Sequence, residues 1–281
     1  MHVLIHREGD YYGLEWAVTS LKRHAPTVPL TVITDSALDA GCRCVHLDTM
    51  QAGLGHLDAV YDHLHKRADR EFILRGIRRW FVYRNLVEEF HLAGPLYVPD
   101  SDVLTFCDPR SQYFEIGADR YDIGACTTAM PGVAIKPFQA PTFISDASLL
   151  AHFCAFVLQV YRKENDVLES FGDDPHFAGE VSDMALWTAY YRRNALTVLP
   201  LTDIAHNGTT WDHHYELDYH LYEHREGAKN MIFKQGRPWC YNHRYNKWVR
   251  FNSLHCTGKL KDKIHEVWDE SCKSHDEARK V

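Results

Sequence analysis

Short apolar runs and helical periodicities alternate along the first half of the chain. "HVLIH" at 2–6 reads as a strand. In the following "GDYYGLEWAVTSLKRH", Leu14, Ala17, Val18 and Leu21 recur at helical spacing and predict a helix over 12–24. "VPLTVITD" predicts a second strand, ending at Asp35. In "EFILRGIRRWFVYRNLVEEF", Ile73, Ile77, Trp80, Phe81, Arg84 and Val87 fall near one helical face, and "AGP" stops the helix. "LYVPD" and "YDIGAC" supply a third and a fourth strand. This βαβ alternation predicts an α/β protein with a parallel sheet.

Beyond Pro131 the texture changes. "MPGVAIKPFQAP" reads as loop, "DASLLAHFCAFVLQVYRK" as a helix with Asp146 as N-cap, and "SDMALWTAYYRR" as a helix capped by Ser182 or Asp183. "ALTVLPL" is a strand. Residues 203–250 are rich in histidine and aromatics and show no period that places elements. With no repeat and no low-complexity linker, one domain spanning 1–281 is expected, with halves at 1–130 and 131–281.

Composition narrows the classes. At 45% apolar and 25% charged the chain reads as soluble, and no apolar run reaches the ~20 residues of a membrane span. The start "MHVLIHREGD" lacks the positive n-region of a signal peptide, and the eight cysteines show no CxxC pair. Reduced thiols and a cytoplasmic location are therefore expected. A net charge of −7 argues against a general nucleic-acid binder. The charge is uneven: residues 225–263 hold ten Lys/Arg against Glu226 and Asp262, a net +8 that leaves −15 elsewhere. Trp239, Tyr241, Tyr245, Trp248 and Phe251 interleave that stretch, which reads either as a solvated basic face or as a surface for a diphosphate, an anionic acceptor or a membrane. His220 and His224 stand at i, i+4, a zinc spacing with no third ligand in view, and are expected to be structural or acceptor-side residues.

The chemistry begins at "GPLYVPDSDVLTFCD". Asp100 and Asp102 stand two apart; on an extended segment they share a face and can address one hard cation, at the carboxyl end of a strand where α/β sheets collect ligands. The bland alternative is a turn in which Asp100 caps and Asp102 is solvated. Near the other end, "HCTGKLK" spaces His255, Gly258 and Lys261 as H-x-x-G-x-x-K. An imidazole completes a metal's coordination, a glycine admits a ligand phosphate to the backbone, and a lysine supplies a charge for phosphate oxygen. Together the two segments describe a metal–diphosphate site.

The chain at this point resembles a GT-A fold glycosyltransferase, most similar to family 8, the glycogenin and lipopolysaccharide galactosyltransferase relatives. "LYVPDSDVLTFCDP" resembles that family's DxD strand, and "HCTGKLK" its HxxGxxK. "GDYYGLEWAVTSL" is similar to the D-N-Y segment, with Asp10 in place and Tyr11 or Tyr12 stacking the base, and "FVYRNLVEEF" to the helix whose arginine approaches the donor, here Arg84. The resemblance covers 1–130 and about 250–265. "FISDASLL" carries Ser145 and Ala147 where the family shows Asn and Gly, and only "SDMALW", with Asp183, stands where the family shows D-Q-D.

The resemblance implies a Rossmann-like nucleotide-binding half, a mixed, mostly parallel sheet flanked by helices, and a hexosyl- or pentosyltransferase of glycan biosynthesis. It also implies a nucleotide-sugar donor, UDP-linked, and a glycan, lipid-linked or protein acceptor. The base would lie near Tyr11 and Asp35. Mn²⁺ or Mg²⁺ would sit on Asp100, Asp102 and His255, with Lys261, Gly258 and Arg84 on the donor. An inverting enzyme needs a carboxylate base, for which Asp183 or Glu180 stand; a retaining one uses Asp183 to orient sugar and acceptor. Peripheral membrane contact through 225–263 is a further expectation. The competing readings are an inactive nucleotide-sugar or glycan-binding module of the same fold and, as a poorer fit, a DxD phosphatase, whose motif belongs near the first strand.

Overall fold

Strands whose two faces both carry apolar side chains need cover on both sides, and helices supply it here. A computed structural model describes residues 1–9, 13–36, 41–64, 68–127, 139–164, 166–168 and 181–278. Among these, in chain order, stand β1 (His2–Arg7), α1 (Gly13–His24), β2 (Leu30–Thr34), β3 (Arg43–His46), α2 (Leu54–Val60), α3 (Arg70–Glu89) and β4 (Leu96–Val98). Then come β5 (Val103–Thr105), α4 (Pro109–Glu115), β6 (Ile123–Cys126), β7 (Gln139–Ile144), α5 (Leu149–Tyr161), α6 (Asp183–Arg193) and β8 (Val198–Pro200). The C-terminal part holds β9 (Thr209–Thr210), β10 (His224–Arg225), β11 (Ala228–Lys229), β12 (Ile232–Lys234), β13 (Arg237–Asn242), β14 (Lys247–Phe251), β15 (Ser253–His255) and α7 (Ile264–Ala278).

Seven strands form the main sheet in the order β3-β2-β1-β4-β7-β6-β8, with β7 antiparallel to both neighbours and the other pairings parallel. The α/β expectation holds, and the sheet is mixed because β7 inserts between β4 and β6. Side chains alternate as the pleat requires: Leu4 and Ile33 enter the core beneath α2, α3, α5 and α6, whereas Val3, Ile5 and Val32 pack with Leu14, Val18 and Leu21 of α1. The centre of the first core is a stack of Phe153 on Trp187, centroids 3.8 Å apart, with Trp80 edge-on to Trp187 at 5.0 Å.

Local chemistry sets the helix ends. Asp69 accepts from the Phe72 amide at 2.8 Å to start α3. Ser182, one of the two expected caps, accepts from Ala185 N and leaves Asp183 for other work. Asp146 accepts from Ser148 N just ahead of α5. Of the loop expected at 130–141, residues 130–138 lie outside the described residues, and 139–141 belong to β7. The unplaced stretch 203–250 is largely a meander, β12-β13-β14 with β9 on its far edge, too short-stranded for periodicity to reveal. His220 and His224 do not share a helix: His220 lies in a turn and His224 begins β10, and the His224 ring nitrogens meet the carbonyls of Tyr222 and Leu217. All eight cysteines are free thiols. No helix among the described residues is long and apolar enough to cross a membrane.

Two outcomes follow from this packing. Phe153→Ala removes a fully buried ring from the stack and is expected to cost about 3–5 kcal/mol in urea unfolding. His24, held against Phe106, has its pKa pushed down to about 4, by burial first and then by Arg23, Arg237 and His275. The unfolded chain therefore binds the proton more readily, so this contribution is intact above about pH 6.5 and is lost as pH falls toward 4, at up to about 1.4 kcal/mol per pH unit. His24→Phe should flatten the pH dependence of the urea midpoint by that amount.

Candidate functional site

Asp100 and Asp102 do not sit on an extended strand. They flank a turn at the carboxyl end of β4, closed by Val103 N donating to the Asp100 carbonyl at 3.1 Å, and the turn aims both carboxylates to one side. The chain then runs into β5, which pairs antiparallel with β15 so that Val103 lies opposite His255 and Cys256 N donates to the Asp102 carbonyl. That ladder brings together residues more than 150 positions apart in sequence. His255 Nε2 lies 3.1 Å from Asp102 Oδ1 and 3.7 Å from Asp100 Oδ2. Lys261 Nζ reaches Asp102 Oδ2 at 3.2 Å from the 3₁₀ turn over 258–263.

Electrostatics explain why this cluster tolerates burial. Burial raises the Asp102 carboxyl, but the His255 ring and the Lys261 ammonium outweigh it and hold the group well below the usual carboxylate range. Burial acts against a charged His255, and the opposing pull of Asp102 and Asp100 pushes it up to about 9. The histidine is also aimed. Its Nδ1 donates to the His213 carbonyl at 2.8 Å, which turns Nε2 toward the carboxylates, and its backbone N–H donates to Asp212 Oδ2 at 3.0 Å. Asp212 is itself held by the fully buried Lys229, Nζ to Oδ1 2.9 Å.

One oxygen or nitrogen each from Asp100, Asp102 and His255 lie within 4.8 Å of one another, a donor set that could hold a metal ion. Two carboxylates and an imidazole whose second nitrogen is tied to a carbonyl suit a divalent first-row cation or Mg²⁺, so the residues present fit the metal that the motif implies. Gly258 has φ +61°, a left-handed conformation that strains a side chain, and a Cβ there would push against the end of Glu216 at 2.7 Å, so the loop bearing Lys261 favours glycine at this point.

An arginine that the sequence reading missed completes the cluster. Arg79 of α3 bonds Asp100 Oδ1 at 2.6 Å and Asp183 Oδ2 at 2.7 Å, and Trp80 Nε1 donates to the same Asp183 oxygen at 3.0 Å. Gly76, one turn before Trp80, leaves room for that carboxylate: a Cβ there would lie 3.3 Å from Asp183 Oδ1. Asp183 is thus at the site, joined to the acidic pair through Arg79. Arg84 is placed elsewhere, its guanidinium on the Ala52 carbonyl and Asn85 Oδ1 and stacked over Phe81. A run of arginines at 75, 78, 79 and 84 on one helix carries no sequence signal for which of them turns inward.

Asp35 follows β2 at the same sheet edge, and its two carboxylate oxygens accept from Gly9 N at 3.0 and 2.8 Å, tying Gly9 to that edge. His6, near the end of β1, has a buried Nε2 with no hydrogen-bond partner among the described residues and a pKa pushed down to about 3, by burial first and then by Arg79. Asp10, Tyr11, Tyr12 and Glu180 lie outside the described residues.

No protein-family model matches the chain, and no curated protein matches it. Among solved structures it is similar to apo mouse xyloside xylosyltransferase 1, at 13% identity and TM-score 0.49, covering 75% of this chain and 86% of that one. It is also similar to the galactosyltransferase LgtC in complex with donor and acceptor sugar analogues, at 10% identity and TM-score 0.49, covering 96% and 95%. A third similarity is to the glycosyltransferase GlyE of Streptococcus pneumoniae TIGR4, at 13% identity and TM-score 0.42, covering 78% of this chain and 48% of that one. At these scores, function in this chain has to be argued from its own residues.

Arg79 bridges two partly buried carboxylates, and removing it leaves both without their cation. Arg79→Met is expected to cost about 3 kcal/mol in chemical unfolding, and Arg79→Met with Asp100→Asn less than the two single changes summed, the mark of a shared interaction.

Proposed function

We propose that this chain is a metal-dependent GT-A glycosyltransferase that moves a sugar from a nucleoside diphosphate donor to a glycan, lipid-linked or protein acceptor. The observation that carries the reading is the cluster of Asp100, Asp102 and His255 with Lys261 against it, two motifs separated by 153 positions between Asp102 and His255 and joined at the carboxyl edge of the sheet. A nucleoside diphosphate needs a cation shared with carboxylates, a further positive charge and a close backbone approach. Asp100 and Asp102, Lys261 and Gly258 supply these in turn. The donor is UDP-linked on the family resemblance, and the imidazole among oxygen ligands favours Mn²⁺.

A divalent cation held by Asp100, Asp102 and His255 would neutralise charge that develops on the diphosphate as the sugar leaves. The chain's own residues do the rest. Lys261, ion-paired to Asp102 at 3.2 Å, adds an ammonium beside the carboxylate that would face phosphate oxygen. To serve as a ligand His255 would have to be deprotonated at Nε2, while its Nδ1–H donates to the His213 carbonyl. Asp183 shares its Oδ2 between the Arg79 guanidinium and the Trp80 indole, which suits a group that orients a sugar and its acceptor better than one that abstracts a proton. Asp35 and Gly9, which it ties down, lie where the nucleoside would extend along the sheet edge. Arg79 takes the donor-side place that the resemblance gave to Arg84.

Thermal shift with a panel of nucleoside diphosphates, each with and without Mn²⁺, tests the reading. UDP at 100 times its Kd is expected to add about 2.7 kcal/mol of stability in wild type with metal, and almost nothing without metal or in Asp102→Asn. Equal shifts in Asp102→Asn and wild type, or no shift with any nucleotide, sink the reading.

A further inference from the structure

The β12–β14 meander has one buried face and one open face, and the open one is unusual. Cross-strand partners share a face, so the register Lys234↔Arg237, Trp239↔Arg250 and Tyr241↔Trp248 gathers these six side chains on one side. The opposite side carries Pro238, Cys240, Asn242 and Val249, all buried against the C-terminal core. A solvent-facing sheet is normally a mixture of both charge signs and small polar residues. This one holds three cations and three large aromatics, and no Asp or Glu occurs from residue 228 to 261 in a chain of net charge −7.

The groups are arranged, not scattered. Lys234 Nζ stands over two rings, Trp239 at 5.6 Å and Trp248 at 5.3 Å, and Tyr241 meets Trp248 edge-on at 5.7 Å. Trp248 keeps 39% of its surface exposed. Arg250 is half-buried, and its Nε is buried with no hydrogen-bond partner among the described residues. Arg237 lies close enough to depress its pKa further, second to burial, with Glu115 of α4 acting in the opposite sense from the rim. Two guanidiniums and an ammonium converge with little to neutralise them.

We propose that this face binds an acidic oligosaccharide. Its CH-rich ring faces lie on the aromatic side chains, roughly 5–7 Å apart across and along the strands, on the scale of one sugar ring. Its carboxylate or phosphate groups meet Lys234, Arg237 and Arg250. A nucleic acid fits less well, because the −15 carried outside residues 225–263 repels a long polyanion. That the bound saccharide is the acceptor rests on the transferase reading; that it binds does not.

The test is therefore run without nucleotide or metal. Intrinsic tryptophan fluorescence of the full chain is titrated with tetragalacturonate and with phosphorylated dextran, each against its neutral counterpart, maltotetraose or dextran. Octathymidylate and phosphatidylserine vesicles serve as the other polyanions. At least one acidic saccharide is expected to bind tenfold or more tighter than its neutral counterpart and tighter than both other polyanions. Trp248→Ala and the exposed pair Lys234→Gln/Arg237→Gln should each weaken it fivefold or more with the melting temperature unchanged. No acidic preference, equal or tighter binding of octathymidylate or vesicles, or wild-type affinity in the Lys234→Gln/Arg237→Gln protein overturns the proposal. Because that pair is on the surface, the result stands even if Trp248→Ala fails to fold.

Discussion

Three residue pairs between β5 and β15 hold the candidate site together. β5 starts one residue after Asp102, and β15 ends at His255, so their antiparallel register puts the imidazole beside the carboxylate and lets Cys256 N close on the Asp102 carbonyl. A one-residue slip would turn His255 to the opposite face and leave Asp102 buried without its imidazole partner. The register is itself enforced from behind, where Leu104 and Leu254 are fully buried in the same core as Phe106 and Phe251. Hydrophobic packing thus sets the position of the charges, and the charges are stable because packing has already brought their partners close.

Burial makes the cluster exacting. Three carboxylates, Asp100, Asp102 and Asp183, are answered by Arg79, His255 and Lys261, each at hydrogen-bond or ion-pair distance. Behind them a second buried pair, Asp212 with Lys229, grips the His255 backbone and extends to the His214 carbonyl through Lys229 Nζ at 2.6 Å. Such networks cost more than apolar packing when any member is missing, so their presence at a strand end points to chemistry more than to stability. The same logic separates Arg79 from Arg84: one answers two carboxylates of the site, the other a carbonyl, an amide and the exposed Glu88 one turn on.

The amino-acid pattern carried much of this unaided. Periodicity placed α1, α3, α5 and α6 and five strands of the main sheet, because amphipathic faces and buried strands are written in nearest-neighbour spacing. Ligand chemistry made Asp100, Asp102, His255 and Lys261 legible as a set, since hard-cation and phosphate binding draw on few residue types. It misjudged the local backbone: the acidic pair shares a side because of a turn and not a strand.

What the chain by itself determined was therefore the inventory: which segments are helical or extended, and which side chains can hold a cation and a diphosphate. The tertiary structure alone decided the pairings. β7 enters antiparallel between β4 and β6, Arg79 in place of its neighbours reaches Asp183 across 104 positions, and three strands of a meander turn six scattered cations and aromatics onto one face. The physical reason is range. Spacing along the chain reports contacts within a turn or a strand, whereas register, charge pairing and shared faces depend on which distant segments bury their apolar sides together.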